Sequence, residues 1–405
     1  MLAAYHAHLL GAMGNLFSTA RHADNLLAMD RVFHLIHVWA LISDSVGFMG
    51  AQRLMRSCVA ANKGAREYLQ KLPHLVVYGG YALVERVVFD SDGRFLVNME
   101  YDDGILPTPR SRKVWGLDPL TLRWNERAEL LVGRSHHACC EVRGRVVILS
   151  GCVEEWRCGD PGPATVEMCG DDDVFHRFPS LSAGHLCGEG TVAVEIVETD
   201  SESGQVLLIG GSLLTPRIVG LRTVYAVDIA TGQCTPQPSM IHARTHCAAA
   251  RLPDGSVICA GGELGECSSS AEILYPGASA WALLPNMRVP RSRFSACVMS
   301  DGRFAVFGGC GSLDVATSCE VLSLRNGAPQ WKPLPAMNYP REAHACVAFA
   351  GCVFVVGGAS NDYNSASVYD EAKRKWFELP HALPRQLGHM GGVIIPRHPP
   401  IRRVT

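Results

Sequence analysis

Five segments of the chain each end an apolar run at a glycine, and the spacing of these glycines is nearly constant. They are Gly151, Gly211, Gly262, Gly309 and Gly358, so that successive ends lie 47 to 60 residues apart. A second glycine precedes four of them, and Ser150 takes its place before Gly151. Self-similarity with a period of about 50 residues is typical of a repeat architecture. We therefore expect the chain to fold as a series of similar units.

Each unit carries the signals of four short strands. Two apolar runs flank a turn such as Asp254-Gly255, which predicts a hairpin. A third strand follows the glycines, and the fourth brings a tryptophan in the last three units, at Trp281, Trp331 and Trp376. Since glycine lacks a Cβ, we expect the glycine pair to turn sharply and to approach a neighbouring unit's tryptophan. Four strands per repeated unit predict the blades of a β-propeller.

This pattern resembles the kelch family. In that family an arginine precedes the first strand, a Gly-Gly pair follows the second, a Tyr-Asp lies on the third and a Trp lies on the fourth. The resemblance covers about residues 73–395, with Phe175 or Phe178 and then Cys234 where two tryptophans are expected. It implies an all-β propeller of about six four-stranded blades with a short N-terminal α-helical segment. The predicted domains are an N-terminal tail (1–29), a helical segment (30–72), the propeller (73–395) and a C-terminal tail (396–405).

The number of blades depends on the first unit. Its second strand is either Leu75–Gly80, which has the glycine pair, or part of Val87–Met99, which has the hairpin turn and the closer spacing. Seven blades result if both belong to separate blades, and six if they do not. Residues Gly388–Pro396 resemble a lone first strand. We expect this strand to pair into the N-terminal blade, because an open sheet edge is a liability.

The helical segment has apolar residues at helical spacing and basic residues between them. It is similar to an F-box, the helical module that binds the Skp adaptor of cullin ubiquitin ligases. The matching residues are Leu41 and Ile42 before the first break and Leu54 and Cys58 on a later helix, whereas the leading Leu-Pro and the Trp after the Cys are absent. A helical hairpin that packs on the propeller, or another partner-binding module, is the alternative. Residues 1–29 read as a tail, with a transit peptide as the alternative.

Composition restricts the classes of partner and the compartment. The net charge is −2 and no basic stripe is present, which argues against nucleic acid as a partner. An apolar run of 11 residues near the start is too short to cross a membrane, so we expect no membrane contact. The 16 cysteines include no C-x-x-C pair and no signal peptide is evident, which favours reduced thiols and an intracellular location, cytoplasmic or nuclear.

The sequence predicts no cofactor, and one short segment contains enough histidine and cysteine to be considered as a metal site. Residues His136–Cys140 read HHACC, but adjacent side chains on a strand point to opposite faces and do not converge. Among propeller enzymes, galactose oxidase holds copper with two Tyr and two His, whereas Tyr225, Tyr275 and Tyr369 here fall on third strands. Propellers that process sialic acid need no metal. We predict no enzymatic activity and keep a carbohydrate-processing enzyme as an alternative.

Basic residues recur ahead of the first strands. They are Arg134, Arg244, Arg291 or Arg293, Arg341 and Arg385, followed by His137, His246 and His344. First strands line the channel of a propeller, and in kelch adaptors of ubiquitin ligases arginines at this position contact acidic peptides. The resemblance therefore implies that these residues bind a carboxylate-rich partner segment, since an arginine fork matches a carboxylate. The alternative is that the arginines pair with acidic residues of adjacent blades as repeat structure.

The sequence as a whole predicts a protein-interaction module. Its most specific form is a substrate-recruiting adaptor of a cullin-type ubiquitin ligase, with Skp-type adaptor and cullin as partners. A kelch scaffold without a ubiquitin role is the first alternative. The identity of the bound substrate does not follow from the sequence.

Overall fold

A computed structural model describes the fold of most of the propeller and part of the helical segment. The described residues are 47–55, 59–81, 87–89, 95–97, 110–153, 165–170, 174–182, 189–196, 204–214, 218–263, 267–310, 313–324, 328–358, 364–385 and 387–395. The chain divides into two units, of which one comprises residues 1–72 with 119–121 and 350–352, and the other comprises the remainder.

The first unit contains helices α1 (residues 47–54) and α2 (Val59–Lys71). Phe48 and Ala51 are buried in α1, and Ala61, Ala65, Tyr68 and Leu69 are buried in α2 at the spacing of one helical face. Leu54 is the last residue of α1, which ends before the turn at Met55. Leu41, Ile42 and Cys58 lie outside the described residues.

The second unit contains six four-stranded antiparallel sheets within its described residues. Blade 1 comprises β30 (Gly388–Ile395), β1 (His74–Tyr81), β4 (Lys113–Leu117) and β5 (Trp124–Glu129). Blade 2 comprises β7 (Ala138–Val142), β8 (Arg145–Leu149), β10 (Val166–Cys169) and β11 (Phe175–Phe178). Blade 3 comprises β12 (Val192–Ile196), β13 (Gln205–Ile209), β16 (Val224–Asp228) and β17 (Cys234–Gln237).

The last three blades have the most regular sequences and the same strand order. Blade 4 comprises β18 (Ala248–Arg251), β19 (Val257–Ala260), β20 (Ala271–Leu274) and β21 (Ala282–Leu284). Blade 5 comprises β22 (Ser295–Val298), β23 (Phe304–Phe307), β24 (Cys319–Ser323) and β25 (Gln330–Leu334). Blade 6 comprises β26 (Ala345–Phe349), β27 (Cys352–Val356), β28 (Ala366–Asp370) and β29 (Lys375–Glu378).

Short elements connect or extend the blades. Three two-stranded pairs are β2 (Val87–Phe89) with β3 (Phe95–Val97), β6 (Arg134–Ser135) with β9 (Cys152–Val153), and β14 (Ser212–Leu214) with β15 (Ile218–Gly220). Helix α3 (Leu313–Thr317) precedes β24. The pair β2–β3 resolves the question of the first unit, since it lies between β1 and β4 of blade 1 and adds no seventh four-stranded sheet to the described part of the chain.

The fold is a six-bladed β-propeller in which the last strand completes the first blade. Strand β30 pairs antiparallel with β1, so that His74 lies opposite Ile395 and Tyr78 opposite Gly391. The inner strands β30, β7, β12, β18, β22 and β26 lie side by side in a closed circle. This confirms both the predicted blade number and the pairing of the terminal strand. Closure removes the two sheet edges that an open propeller would expose.

The tryptophans of the last three units lie in equivalent surroundings. The indole Nε1 of Trp281 donates to the carbonyl of Pro238 at 2.8 Å, that of Trp331 to Pro285 at 2.8 Å, and that of Trp376 to Pro335 at 2.9 Å. Each proline follows the fourth strand of the preceding blade, so these hydrogen bonds join neighbouring blades. Of the two phenylalanines proposed for blade 2, Phe175 is the fully buried one at the start of its fourth strand.

The glycine pairs have a different neighbour from the one expected. A Cβ on Gly309 would lie 2.6 Å from the carbonyl oxygen of Ser292 and 2.7 Å from the Cβ of Phe294. These residues lead into the first strand of the blade, and no tryptophan is among the nearest atoms. The Gly309 N–H donates to the Arg341 carbonyl of the next blade at 2.8 Å. The glycines therefore bring the blade's own first strand and the next blade together.

None of the helices in the described part of the chain combines the length and the apolar character that a membrane crossing requires. The twelve cysteines found there are all free thiols.

Candidate functional site

One residue from each blade, which lies two positions before the inner strand or, in β30, at its second position, defines the rim of the central channel. We call these six residues the mouth ring; they are His136, Gly190, His246, Arg293, Ala343 and His389. Five of them are not glycine, yet all five have φ between 51° and 53°, in the left-handed region. Such a conformation costs about 1–2 kcal/mol for an L-residue and persists only where the surrounding structure enforces it.

Backbone hydrogen bonds around the circle enforce this conformation. The N–H of five of the six ring residues donates to the carbonyl of a ring residue in an adjacent blade. These bonds run from His389 to Ala343 at 2.8 Å, from Ala343 to Arg293 at 2.7 Å and from Arg293 to His246 at 3.0 Å. The bonds from His246 to Gly190 at 3.2 Å and from His136 to His389 at 3.3 Å continue the series. The backbone of the mouth ring is thus fixed by the closure of the propeller.

The three histidines of the mouth ring form one cluster, although they come from three blades. The rings of His136 and His389 have their centroids 3.6 Å apart and their planes tilted by 32°. The ring of His246 lies edge-on to both, with centroid distances of 5.6 Å to His136 and 6.1 Å to His389. One nitrogen from each of the three rings lies within 4.8 Å of the others.

Two carboxylates and one guanidinium complete the cluster. Oε1 of Glu189 lies 3.1 Å from Nε2 of His136 and 3.6 Å from Nε2 of His246. Oε1 of Glu263 lies 3.2 Å from Nδ1 of His246 and 3.4 Å from a terminal nitrogen of Arg293. Ser292 Oγ donates to the other oxygen of Glu263 at 2.9 Å. Groups of both charge signs therefore face one another across the mouth.

The surroundings shift the pKa values of these groups in different directions. Burial lowers the pKa of His136 and of His389 well below the ordinary value, so both rings are neutral at physiological pH. Burial also opposes the charge of His246, but the carboxylates of Glu189 and Glu263 outweigh it and raise its pKa to about 8. The contact with His246 in turn lowers the pKa of Glu263 to about 2.

Below the mouth ring, the channel has a volume of about 240 Å³ and is lined by the first residues of all six inner strands. Most of these residues are small, such as Ala138, Ala193, Ala248, Ser295, Ala345 and Gly391. A channel of this size and lining holds a small molecule at most, and the charged groups are concentrated at its mouth. The arrangement can therefore bind a charged ligand or a metal ion at the mouth rather than deep in the channel.

Three proteins of known name are similar to parts of this chain. An F-box/kelch-repeat protein of Arabidopsis thaliana is 32% identical over 139 residues, or 30% of this chain and 36% of that protein. Human Kelch-like protein 23 is 25% identical over 193 residues, or 47% of this chain and 34% of that protein. Kelch-like ECH-associated protein 1B of Danio rerio is 31% identical over 100 residues, or 24% of this chain and 17% of that protein.

The chain is a kelch-repeat β-propeller. Repeats at the kelch period, the six blades and the similar proteins agree on this point. No family model matches the chain. The solved structure of YjhT matches this kelch propeller with a TM-score of 0.53 at 12% identity, covering 66% of this chain and 91% of that one. At that identity the match shows the fold alone. The first two relatives are matched over about a third of their own lengths.

The repeat arginines of the kelch propeller lie inside the blades. The side chains of Arg134, Arg244, Arg291 and Arg341 are at most 1% exposed. Three of them form ion pairs with a glutamate on the third strand of their own blade, from Arg134 to Glu167, from Arg244 to Glu272 and from Arg291 to Glu320. The contacts fit the alternative of structural pairing, but the acidic partner lies in the same blade and not in an adjacent one. These four side chains offer no surface to a peptide unless the blade opens.

The remaining predicted residues fall into two groups. His246 and Arg293 belong to the mouth ring, whereas both ring nitrogens of His137 and of His344 are buried and the pKa of each is lowered by burial to about 3. Arg385 is exposed and is not the repeat arginine. Leu387 takes that place, because its carbonyl accepts the Gly358 N–H at 3.1 Å as the Arg341 carbonyl accepts that of Gly309.

Four residues of the cluster were missed at the level of sequence, namely His136, Glu189, Glu263 and His389. A signal for the histidines exists in the spacing. The mouth residue lies two positions after the repeat arginine, as His136 follows Arg134 and His246 follows Arg244. Applying the same step to Leu387 identifies His389. Glu189 precedes Gly190 as Glu342 precedes Ala343 in blade 6, whereas Glu263 has no counterpart after the glycine pairs of the other blades.

His344 makes the stability of the kelch propeller depend on pH. Burial, with the nearby charge of Arg341, lowers its pKa to about 3, whereas the pKa in an unfolded chain is about 6.5. Between these values the unfolded state binds the extra proton, so stability is lost as the pH falls from about 6.5 toward 3. We expect His344→Leu to reduce the slope of the unfolding free energy against pH, in this range, by up to the contribution of one proton, or about 1.4 kcal/mol per pH unit.

Urea unfolding of the wild type and His344→Leu at several pH values between 4 and 8 measures this difference. At pH 8 the ring is neutral in both states of the wild type, so the difference there reports packing alone. Parallel stability profiles below pH 6 would show that His344 does not contribute to the dependence.

Proposed function

We propose that this kelch propeller recruits a protein substrate to a cullin-type ubiquitin ligase, with the helical segment as the contact for a Skp-type adaptor. The observation that carries the proposal is the combination of a kelch propeller with a preceding helical segment. The same combination of names, F-box and kelch repeat, belongs to the Arabidopsis relative. The other relatives are named as kelch-like proteins, one of them as an ECH-associated protein.

The mouth of the propeller is the proposed contact for the substrate. Because the repeat arginines are buried, the attraction for an acidic segment falls to Arg293, whose side chain is 21% exposed beside Glu263. Glu263 is 25% exposed and presents the opposite charge at the same rim. We therefore propose a partner segment that offers a carboxylate to Arg293 and a donor to Glu263. The two carboxylates of the cluster would repel a partner that carries negative charge alone.

Binding of the full-length protein to a recombinant Skp-type adaptor and cullin tests the adaptor role. We expect the wild type to retain the adaptor in a pull-down, and Leu41→Asp with Ile42→Asp to lose at least about tenfold in affinity, since a charge in an apolar contact is costly. Leu283→Asp is the matched control, because Leu283 lies 61% exposed on the propeller. It is expected to bind as the wild type does.

A folded wild-type protein that retains no Skp-type adaptor would contradict the proposal. That result favours the alternative of a kelch scaffold without a ubiquitin role. Circular dichroism and a thermal melt of each variant show whether a loss of binding reflects a loss of fold.

A further inference from the structure

The histidine cluster of the mouth ring has the composition of a metal site. Imidazole is the commonest metal ligand among protein side chains. Here three imidazoles from blades 1, 2 and 4 converge, with one nitrogen of each within 4.8 Å of the others. Four-coordinate zinc with Zn–N distances of about 2.0–2.1 Å places its ligand atoms about 3.4 Å apart. Side-chain movements of roughly one ångström therefore suffice to reach that geometry.

Glu189 lies where a fourth ligand belongs. Its Oε1 is 3.1 Å from Nε2 of His136 and 3.6 Å from Nε2 of His246, so one oxygen faces two of the three imidazoles. The backbone of Glu189 is itself held, since its carbonyl accepts the N–H of Ser212 at 3.0 Å and the hydroxyl of Thr245 at 3.2 Å. Three nitrogens and one carboxylate oxygen make up a ligand set that suits zinc.

Further groups orient the imidazoles toward the centre of the cluster. Nδ1 of His136 lies 3.2 Å from Oγ of Ser135, and Nδ1 of His246 lies 3.2 Å from Oε1 of Glu263. A histidine that binds metal through one nitrogen usually gives the N–H of the other to an oxygen of this kind. In both residues this leaves Nε2 facing Glu189. The contact from His246 to Glu263 is a carboxylate–histidine pair of the type that supports zinc ligands.

Burial, charge and rigidity are also consistent with a bound cation. The side chains of His136 and His246 are 7% and 12% exposed, so water competes little for them. Glu189 and Glu263 bring two carboxylates to the histidines, next to the guanidinium of Arg293. The backbone positions of the three histidines are fixed by the hydrogen bonds of the mouth ring. A divalent ion would meet a prearranged site with two carboxylates.

We propose that His136, His246, His389 and Glu189 bind one divalent transition-metal ion, Zn²⁺, at the mouth of the propeller, with Glu263 as a positioning residue for His246. The ion would join histidines of blades 1, 2 and 4 to Glu189, which leads into blade 3, and it would lie beside Arg293, at the rim where a partner would bind. This inference does not depend on the adaptor role, because it concerns the propeller alone.

Calorimetric titration of the chelator-treated full-length protein with Zn²⁺ tests the proposal under reducing conditions. We expect one site that is lost on His389→Asn or His136→Asn, with a reduction in affinity of more than about 100-fold, the upper range for loss of a supporting partner. Glu263→Gln is expected to reduce the affinity about 10- to 100-fold. His381→Asn removes a histidine outside the cluster and is expected to bind as the wild type does.

Co²⁺ as a spectroscopic probe separates this site from binding by cysteines. We expect a visible spectrum of nitrogen and oxygen ligands without the charge-transfer band of a thiolate, and its loss in His389→Asn. Wild-type protein that binds no Zn²⁺, ligand variants that bind it with unchanged affinity, or a thiolate band would each overturn the proposal. Should His136→Asn or His389→Asn fail to fold, Glu263→Gln decides, because unchanged affinity in that variant contradicts the assigned geometry.

Discussion

Arg244→Met is expected to destabilise the propeller by about 3–5 kcal/mol, the usual cost of removing one partner of a buried ion pair. The guanidinium of Arg244 bonds Oε1 of Glu272 at 2.7 and 3.1 Å, and its other terminal nitrogen donates to the Gly261 carbonyl at 2.7 Å. Methionine fills similar space but leaves the carboxylate of Glu272 buried with no cation. Urea unfolding at neutral pH measures the loss.

Blade 6 provides the matched control. Arg341 makes the same contact to a glycine carbonyl, at 2.8 Å to Gly357, but Ser367 stands where blades 2, 4 and 5 have glutamate. Arg341→Met therefore removes hydrogen bonds without leaving a buried carboxylate, and we expect a smaller loss of about 1–3 kcal/mol. Equal losses in the two variants would show that the ion pair itself adds nothing to the stability of the blade.

Gly309→Ala is expected to cost about 2–5 kcal/mol, combining backbone strain with overpacking. The φ of Gly309 is 108°, a value that L-residues rarely adopt. The added Cβ would lie 2.6 Å from the carbonyl oxygen of Ser292, which is backbone and therefore cannot rotate away. A shift there also disturbs the hydrogen bond from the Gly309 N–H to Arg341 in the next blade. Thermal unfolding should show the loss as a lower Tm.

Gly277→Ala measures the cost of backbone strain without the close contact that an added Cβ makes at Gly309. Gly277 also has a positive φ, 71°, but an added Cβ would meet no atom within 4 Å. We expect this variant to lose only about 1–2 kcal/mol, the cost of the left-handed conformation. The close approach of the chain is unimportant if both variants lose the same amount.

The fold follows from the sequence because its signals are local and repeated. Each glycine pair, turn and tryptophan lies within one unit, so comparison of the units identifies the strands before any contact is known. The first unit is the exception, since the inserted pair β2–β3 has the turn and spacing of a blade hairpin. Pairing with β30 decides that β1 is the blade strand.

The site follows from the sequence only in part. The recurrence of the arginines does not distinguish a ring of exposed side chains at the channel from arginines buried in ion pairs, because either arrangement would repeat in every blade. The deciding signal is a second recurrence on the third strand, where Ser270 and Glu272 correspond to Ser318 and Glu320. The spacing from the repeat arginines identifies the positions of the histidines, but no local signal predicts their contact with one another, since they come from blades 1, 2 and 4 and meet only once the circle is closed.

The position of β30 also determines when, during folding, the mouth of the channel is completed. Every other strand of the propeller is synthesised earlier, and β30 pairs with β1 across about 320 residues of chain, a contact that forms late because closing so long a loop is slow. His389 lies on this strand. A nascent or partly opened propeller could hold five whole blades and still lack its rim. Ligand binding at the rim would therefore report that the chain has finished folding.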